Sequence, residues 1–489
     1  MDNAGDVLPT DTVLNAKLIA TFTRGAGIYP ASTYQTGAKE MKNRLDVSEQ
    51  EQSSGNDETN NVGVAAKPLS RRNFIATTGA LVMGSLLSKR ALAAGQDTIR
   101  IGFISSMTGG LALFGESDTF VIDAVRQTLV NGIDIGGKRY KVEILQRDDQ
   151  TSADRAASLA AQLINGEKID LMLAPGAIGM INVAQQCELN GVPCITTMTP
   201  WQAWMYPLKG SPDKGFKYIH HFFWGTEDIA AVYEDIWRGL PVKKVVASAW
   251  SNDVPGNAMG STKFGLPATW VKDGYNIVDI GRFESGAADF TLQIQAFKKA
   301  NAEIVTGLFS PTEWSTFWRQ SQQLGYHPKV ATVAKAFLFP SGVQAMGKSV
   351  DRMSTEIWWS PAYPFKSTLT GQTAHQLADD YEKHTKRDWT QPLGVVHALW
   401  ELGMNALKAS GDPKNPEKVS AAIAHTDLQT VIGRISWPSS SIKNVAKIRV
   451  VGGQWRILPG ESKAQLFVTN NASAPEVPVQ RKFELLGAA

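Results

Sequence analysis

A β-strand is predicted by the segment Thr98-Ile99-Arg100-Ile101-Gly102-Phe103-Ile104, in which apolar side chains alternate with other types. Gly109 and Gly110 interrupt this pattern, and apolar residues then recur at helical spacing from Phe120 to Leu129. Helices of about 12 to 15 residues separate the strands that follow. These strands are expected at 140–144, 169–173 and 192–197. The alternation predicts βαβ units and hence a parallel sheet.

The alternation pauses at 200–215, a loop rich in Pro, Trp and Lys, and then begins again. A second set of strands is expected at 243–250, 276–283, 303–309 and 330–334. The sequence therefore predicts an α/β protein of two lobes, each a parallel sheet flanked by helices. In open α/β sheets a ligand binds beyond the carboxyl ends of the strands, so two lobes place a site in the cleft between them.

Some local patterns give finer predictions. Thr151 followed by Asp154 is typical of a capping box and predicts the start of a helix that runs to Ile164. One helix is predicted over 257–273, and Ile357-Trp358-Trp359 is expected to be extended. Near the C-terminus, Gly452-Gly453 stands between two extended segments and predicts the turn of a β-hairpin.

An export signal is indicated by Ser70-Arg71-Arg72-Asn73-Phe74-Ile75, an apolar run to Leu87, and the small residues Ala91 and Ala93. The run is about 13 residues long, and spanning a bilayer takes about 20. We therefore expect a twin-arginine-type signal peptide at 70–94, cleaved after Ala93 or Ala94, and a periplasmic protein. Residues 1–69 are predicted to be a disordered leader.

Composition limits the remaining possibilities. Hydrophobic residues make up 43% of the 489-residue chain and charged residues 19%, which is typical of a globular protein. A formal net charge of +3, without a basic block among aromatics, argues against nucleic acid as a partner. Cys187 and Cys194 are open to two interpretations, a disulfide bridge or two small buried apolar residues. No further ligand-type residue lies near them, so no metal site is expected.

Five motifs in order carry a resemblance to a known family. They are 101–109 with Phe114-Gly115-Glu116, then 148–150, 191–195, 281–291, and Gly433 with the terminal hairpin. Over 98–460 the chain resembles the periplasmic solute-binding proteins of ABC importers, of the branched-chain amino-acid (leucine/isoleucine/valine-binding) type.

The resemblance implies a type I periplasmic binding protein-like fold, with two lobes joined by a three-strand hinge. Lobe 1 would comprise 98–221 plus 356–440, and lobe 2 would comprise 222–355 plus 441–489. The implied partners are a small-molecule ligand and the membrane subunits of an ABC permease, and the protein is expected to be a monomer without a cofactor.

The family's site also gives expectations for single residues. Its members hold a ligand carboxylate through backbone NH groups and hydroxyls after the third and fourth strands, which correspond here to Ala177 and 196–199. Its amino-acid-binding members hold the ligand's ammonium group through a carboxylate of the second lobe. The matching stretch 332–337 contains no acid but contains Lys335. A lysine facing the cleft would repel an ammonium group, so a carboxylate or another polar solute is expected instead.

Aromatic residues near the strand ends complete the candidate site, because they could form an apolar box around a ligand. The candidate ligand-binding residues are Ser106, Phe114, Ala177, Thr197, Met198, Thr199, Trp201, Trp224, Phe309 and Lys335. Each has a structural alternative: the threonines could serve turns, the aromatics could fill the cores, and Lys335 could point to solvent.

Three functions follow from these patterns. The first is a transport receptor that captures a small polar, carboxylate or amide solute and delivers it to a permease. The second is a periplasmic sensor of the same fold that reports ligand occupancy to a regulator. The third, an exported enzyme, is disfavoured because the chain has no nucleotide-binding glycine motif, no nucleophile elbow and no zinc-protease motif. No catalytic residues are therefore assigned.

Overall fold

The computed structural model describes residues 98–176 and 178–487. The expected leader, signal peptide and cleavage site lie outside these residues, as does Ala177. The predicted fold class is confirmed: two parallel sheets are flanked by helices, in the manner of a type I periplasmic binding protein. No helix in the described residues is long and apolar enough to cross a membrane.

The strands are numbered in chain order. They are β1 (Thr98–Ser105), β2 (Ile133–Ile135), β3 (Lys138–Asp148), β4 (Leu171–Pro175), β5 (Cys194–Thr197), β6 (Ile219–Phe222), β7 (Val245–Ser251), β8 (Asn276–Val278), β9 (Arg282–Phe283), β10 (Ile304–Leu308), β11 (Val330–Ala334), β12 (Ser354–Ile357), β13 (Asp427–Thr430), β14 (Gly433–Ser436), β15 (Val445–Ala446), β16 (Val451–Ile457) and β17 (Ala464–Asn470).

The α-helices are numbered in the same way. They are α1 (Asp118–Thr128), α2 (Ala153–Asn165), α3 (Gly179–Asn190), α4 (Trp201–Met205), α5 (Thr226–Trp237), α6 (Val254–Met259), α7 (Leu266–Lys272), α8 (Thr291–Lys299), α9 (Pro311–Gln323), α10 (Pro340–Ala345), α11 (Ala374–Thr385), α12 (Gln391–Ala409) and α13 (Pro416–Ala424). Short 3₁₀ helices lie at Ala112–Phe114 and Gly347–Val350.

The first sheet has the order β15-β6-β5-β4-β1-β3-β2, and all neighbours are parallel except β2 and β3. Its central strands are buried on both faces, which explains their nearly continuous apolar sequence. In β4, Leu171 and Leu173 pack into one core cluster, while Met172 and Ala174 pack into the other. Side chains of this one strand therefore pack against the helices on both faces of the sheet.

The second sheet has the order β17-β16-β12-β11-β10-β7-β8, with β9 also paired to β7. Strands β7 to β12 are parallel, whereas β16 and β17 join them in antiparallel pairs. Strands β13 and β14 form a separate antiparallel pair.

The chain passes between the two sheets three times, and each crossing leaves from the carboxyl end of a strand. The first follows β6, the second follows β12, and the third connects β15 to β16. The lobe boundaries remain a proposal, but the expected boundary at 441 needs correction. We had placed 441–489 in lobe 2, whereas Val445–Ala446 pairs with His221 and Phe222 of the first sheet.

The second crossing is anchored on α12. Every residue from Gln391 to Met404 is buried, so this helix is enclosed within lobe 1 rather than lying on its surface. The Gln391 side chain accepts a 2.6 Å hydrogen bond from the Trp358 amide and donates to the Glu356 carbonyl at 3.2 Å. Gly394 packs directly under the Trp359 ring. The crossing is thus held by one helix end.

The predicted C-terminal hairpin is wrong. Gly452 and Gly453 lie inside β16, at a bulge, and β16 pairs with β17, which we had not predicted. A Cβ atom on Gly452 would lie 2.7 Å from Ile236 Cγ1, so glycine here permits a close approach to α5 instead of a turn.

Three other local predictions also differ from the structure. The predicted helix 257–273 is two helices, α6 and α7, because the chain turns between Gly260 and Gly265. The strand expected at 276–283 is divided into β8 and β9 at Gly281, which has φ +107°. Ser152 rather than Thr151 caps α2, since Thr151 has a left-handed φ of +63°.

Gly394→Ala should destabilise the protein, because the new methyl group would overlap the rigid Trp359 ring. Gly403→Ala in the same helix is the matched control: its Cβ would lie 3.2 Å from the flexible end of Leu173. Urea unfolding should place Gly394→Ala about 1–3 kcal/mol below the control. Equal unfolding free energies would show that the crossing is not packed in this way.

Candidate functional site

The carboxyl edges of the two sheets meet in space. Phe114, in the loop after β1, packs edge-on against Phe339, in the segment after β11, with ring centroids 4.9 Å apart. One ring belongs to the first lobe and the other to the second. The candidate site is therefore the region between these edges, where the geometry of open α/β sheets also places a ligand.

The loop after β1 is fixed by two carboxylates at the end of β3. The Ser106 hydroxyl donates to Asp149 at 2.7 Å, and the Thr108 hydroxyl donates to Asp148 at 2.6 Å. Burial alone would raise the pKa of Asp148, but the Thr108 hydroxyl and three backbone amides lower it overall. Both carboxylates are thus used to shape the loop that carries Phe114.

The threonines after β5 have mainly structural partners. The Thr197 hydroxyl donates to the Phe222 carbonyl at 2.7 Å, and the Thr199 carbonyl lies 2.9 Å from His221 Nε2. Since a carbonyl only accepts, Nε2 carries the proton and Nδ1 accepts from Thr196 at 2.8 Å. Burial lowers the pKa of His221 to about 3, so the ring is neutral. Met198, between the threonines, is buried with φ +71°.

Trp201 belongs to a polar cluster between the lobes. Its indole NH donates to Glu227 Oε1 at 3.0 Å, across from α4 to α5. Lys447, on the third crossing, lies 2.8 Å from the same Glu227 and 2.7 Å from Asp228. The structure therefore gives Trp201 a role in joining the crossings.

Five aromatic residues, which we call the hinge aromatic cluster, lie together where the lobes meet. Trp358 packs on Phe223 at 5.0 Å, on Trp224 at 6.0 Å and on Phe114 at 6.3 Å between centroids. Phe339 completes the cluster through Phe114. The cluster thus contains rings from both lobes and from the first and second crossings.

The two tryptophans of this cluster are buried, and their indole NH groups are unpaired. Trp224 is 4% exposed and Trp358 is 2% exposed. Neither indole NH has a hydrogen-bond acceptor among the described residues. Buried NH groups are normally paired. Four other buried indoles, those of Trp204, Trp250, Trp359 and Trp400, also lack an acceptor in the described part of the chain, so the position of Trp224 and Trp358 where the lobes meet is what sets these two apart.

Phe309 and Lys335 lie in different environments. Phe309 is completely buried and packs against Phe283, Trp314 and Phe317 in the core of the second lobe. Lys335 directly follows β11, is half-buried and has a left-handed φ of +68°. Its ammonium group makes no hydrogen bond or ion pair in the part of the chain that the structure describes. Lys335 is thus a cation at the carboxyl edge, whereas the packing of Phe309 favours its structural alternative.

Of the ten predicted site residues, the structure brings Phe114 and Trp224 together in the hinge aromatic cluster. Trp358 and Phe339 belong to the same cluster but were not predicted as site residues. The extended segment ending in Trp358-Trp359 was the available signal for Trp358, since it borders the expected lobe boundary at 356. No comparable signal marked Phe339.

Neither a metal nor a reactive thiol is indicated by the described residues. They contain no group of three or more His, Cys, Asp or Glu side chains suited to a metal ion. Cys187 and Cys194 are free and buried, which agrees with the interpretation as small apolar residues.

Asp118, at the first position of α1, is a buried carboxyl group beside the loop after β1. It is 0% exposed, and neither oxygen accepts a hydrogen bond among the described residues. Burial raises its pKa to about 8; the neighbouring Ser105 hydroxyl opposes this rise and the Asp149 carboxylate adds to it. The group is therefore largely protonated at neutral pH.

Comparison with known proteins gives a consistent assignment. A family model described as "Periplasmic binding protein" matches residues 98–453. A leucine binding protein, LivK, from Thermotoga maritima is 19% identical, with a TM-score of 0.61, and the match covers 76% of this chain and 99% of that one.

Two structures with bound ligands are also similar. A solute binding protein of an ABC transporter from Rhodopseudomonas palustris BisB5, in complex with 3,4-dihydroxybenzoic acid, is 19% identical with a TM-score of 0.59, over 76% of this chain and 97% of that one. LivJ from Streptococcus pneumoniae, in complex with isoleucine, is 16% identical with a TM-score of 0.56, over 80% and 99%. At these identities the likeness concerns the fold.

Asp118→Asn should flatten the dependence of stability on pH. The folded pKa lies above the ordinary value, so the native chain should lose stability as pH rises towards 8, by up to about 1.4 kcal/mol per pH unit. Urea unfolding at pH 5, 6.5 and 8 measures this slope. Asp123→Asn, on an exposed ion pair of the same helix, is the control and should keep the native slope. An unchanged slope in Asp118→Asn would contradict the assignment.

Proposed function

The chain belongs to the periplasmic binding protein family, which implies an extracytoplasmic location, and from this premise we propose that it is the substrate-binding protein of an ABC transporter. In this proposal the protein captures a small solute between its lobes, closes on it, and delivers it unchanged to the permease. Export through the twin-arginine-type signal peptide at 70–94 is part of the same proposal.

The contact between Phe114 and Phe339 carries the proposal. It joins the carboxyl edges of two sheets between which the chain passes three times, which is the arrangement that a hinged binding protein needs. A ligand that prefers the closed form shifts the protein towards it, and the permease then recognises occupancy. The sensor alternative has no specific observation in its favour.

We propose a carboxylate or amide solute rather than a free amino acid. The segment after β11 provides Lys335 and no acid. Two acids that follow other strands of the second sheet are engaged in capping: Asp253 accepts from the Gly256 amide at 2.7 Å, and Glu313 accepts from the Ser310 amide at 2.6 Å. Neither of these two acids is free to pair with an ammonium group, whereas an anion would find a lysine.

A thermal-shift screen tests the function. The panel contains aromatic acids, short amides, urea, sugars and branched-chain amino acids, two classes of which match ligands of similar folds. A solute at 100 times its Kd should add about 2.7 kcal/mol of stability and raise Tm by about 3 °C for a folded region of about 390 residues, 98–487. Enzymatic turnover of a stabilising solute would overturn the proposal of a transport receptor.

Lys335→Met tests the proposed charge preference. If Lys335 contacts the ligand, affinity for an anionic solute should fall about tenfold or more, while affinity for the neutral amide of the same shape should change little. Lys329→Met, just before β11 and therefore at the opposite end of the strand, is the control. Isothermal titration calorimetry gives both affinities, and an equal loss for acid and amide would exclude a charge contact.

A further inference from the structure

The two unpaired indole NH groups of the hinge aromatic cluster sit on different crossings. Trp224 follows β6 on the first crossing, and Trp358 follows β12 on the second. Their backbones are fixed: the Trp224 carbonyl accepts from the Trp201 amide at 3.1 Å, and the Trp358 amide donates to Gln391 at 2.6 Å. Two buried donors are thus held in place without acceptors.

We propose that Trp224 and Trp358 are specificity-determining residues of the solute site. Their indole NH groups donate to an oxygen acceptor, either a carboxylate or an amide carbonyl, on a small flat apolar solute. This inference rests on the proposed function and names the donors and the ligand class that the site selects.

The donors fit an acceptor because the protein itself supplies none. A buried NH without a partner carries a desolvation cost that a ligand oxygen removes. Two other donors near the site are already used, since Thr197 bonds to the Phe222 carbonyl and the Trp201 indole bonds to Glu227. The indole NH groups of Trp224 and Trp358 are the unpaired buried donors that belong to the hinge aromatic cluster.

The surroundings of these donors favour a flat apolar body. Phe223 packs on Trp224 at 4.7 Å and on Trp358 at 5.0 Å, while Phe114 packs on Trp358 and Phe339 packs on Phe114. Aromatic faces of this kind stack well with planar groups. The indole NH groups offer donors alone, and Lys335 at the same carboxyl edge opposes a cationic group that the aromatic faces would otherwise attract.

Three small aromatic probes test the ligand class. Benzoate, benzamide and benzylamine share one ring and differ in carrying an anionic acceptor, a neutral acceptor or a cationic donor. We expect benzoate and benzamide to bind in calorimetric titrations and benzylamine to fail. Binding of benzylamine at comparable affinity, or of none of the three, would overturn the assigned class. In the second case the wider solute panel still tests the transport function separately.

Trp224→Phe and Trp358→Phe test the residues, because each keeps an aromatic ring and removes the indole NH. Each variant should weaken benzamide about fivefold and benzoate about tenfold or more. Trp359→Phe is the matched control: Trp359 is also buried with an unpaired NH, but it packs against Trp389 at 6.0 Å and Gly394. An equal loss in the control, or no loss in either variant, would refute the role.

A measurement on the native protein covers the case in which a variant does not fold. In a ¹H–¹⁵N spectrum of chain labelled at the indole nitrogens, benzoate should move two indole signals downfield, as expected for NH groups that gain an acceptor. Benzylamine should leave all indole signals in place. If benzoate binds and no indole signal moves, the inference is wrong although the transport function stands.

Discussion

The three crossings between the sheets determine where the hinge and the candidate site lie. Each leaves from the carboxyl end of a strand, after β6, β12 and β15, so the connections lie along the edges at which parallel sheets bind ligands. Hinge and site are consequently built from the same short segments. Trp224 and Trp358 belong to crossings, and Lys447 on the third crossing pairs with Glu227 beside the first. A change in the angle between the lobes therefore also changes the surroundings of a bound solute.

Two sets of polar groups near this edge bear on the ligand. One set is satisfied within the protein: Asp148 and Asp149 hold the loop after β1, His221 holds the turn after β5, and Trp201 joins the lobes. The other set, the indole NH groups of Trp224 and Trp358 and the Lys335 ammonium, has no partner among the described residues. The first set gives the site its shape, and the second set is available to a solute. This division favours an acceptor-bearing ligand over a zwitterion.

Periodicity was enough to predict two lobes with parallel sheets, because strands buried on both faces and helices with one apolar side leave distinct patterns in sequence; the three crossings were implied by the family resemblance. It was not enough for contacts between distant segments. The Gly452-Gly453 pair has a sequence typical of a turn. In the folded sheet, however, the two glycines lie close to Ile236 and Ile357, and the local sequence does not indicate these contacts. Phe309 follows a strand like a site residue but fills a core. Phe339 belongs to the cluster because it packs on Phe114, which lies more than two hundred positions earlier in the chain. No local sequence pattern indicates a contact between residues so far apart.

The central claim is that two lobes close on a solute, and small-angle X-ray scattering of the protein tests it most directly. With a solute that stabilises the protein, the radius of gyration should decrease at unchanged mass, and the curve calculated from this structure, in which Phe114 touches Phe339, should fit the bound state better than the free state. An unchanged radius of gyration while the solute is demonstrably bound would contradict the account.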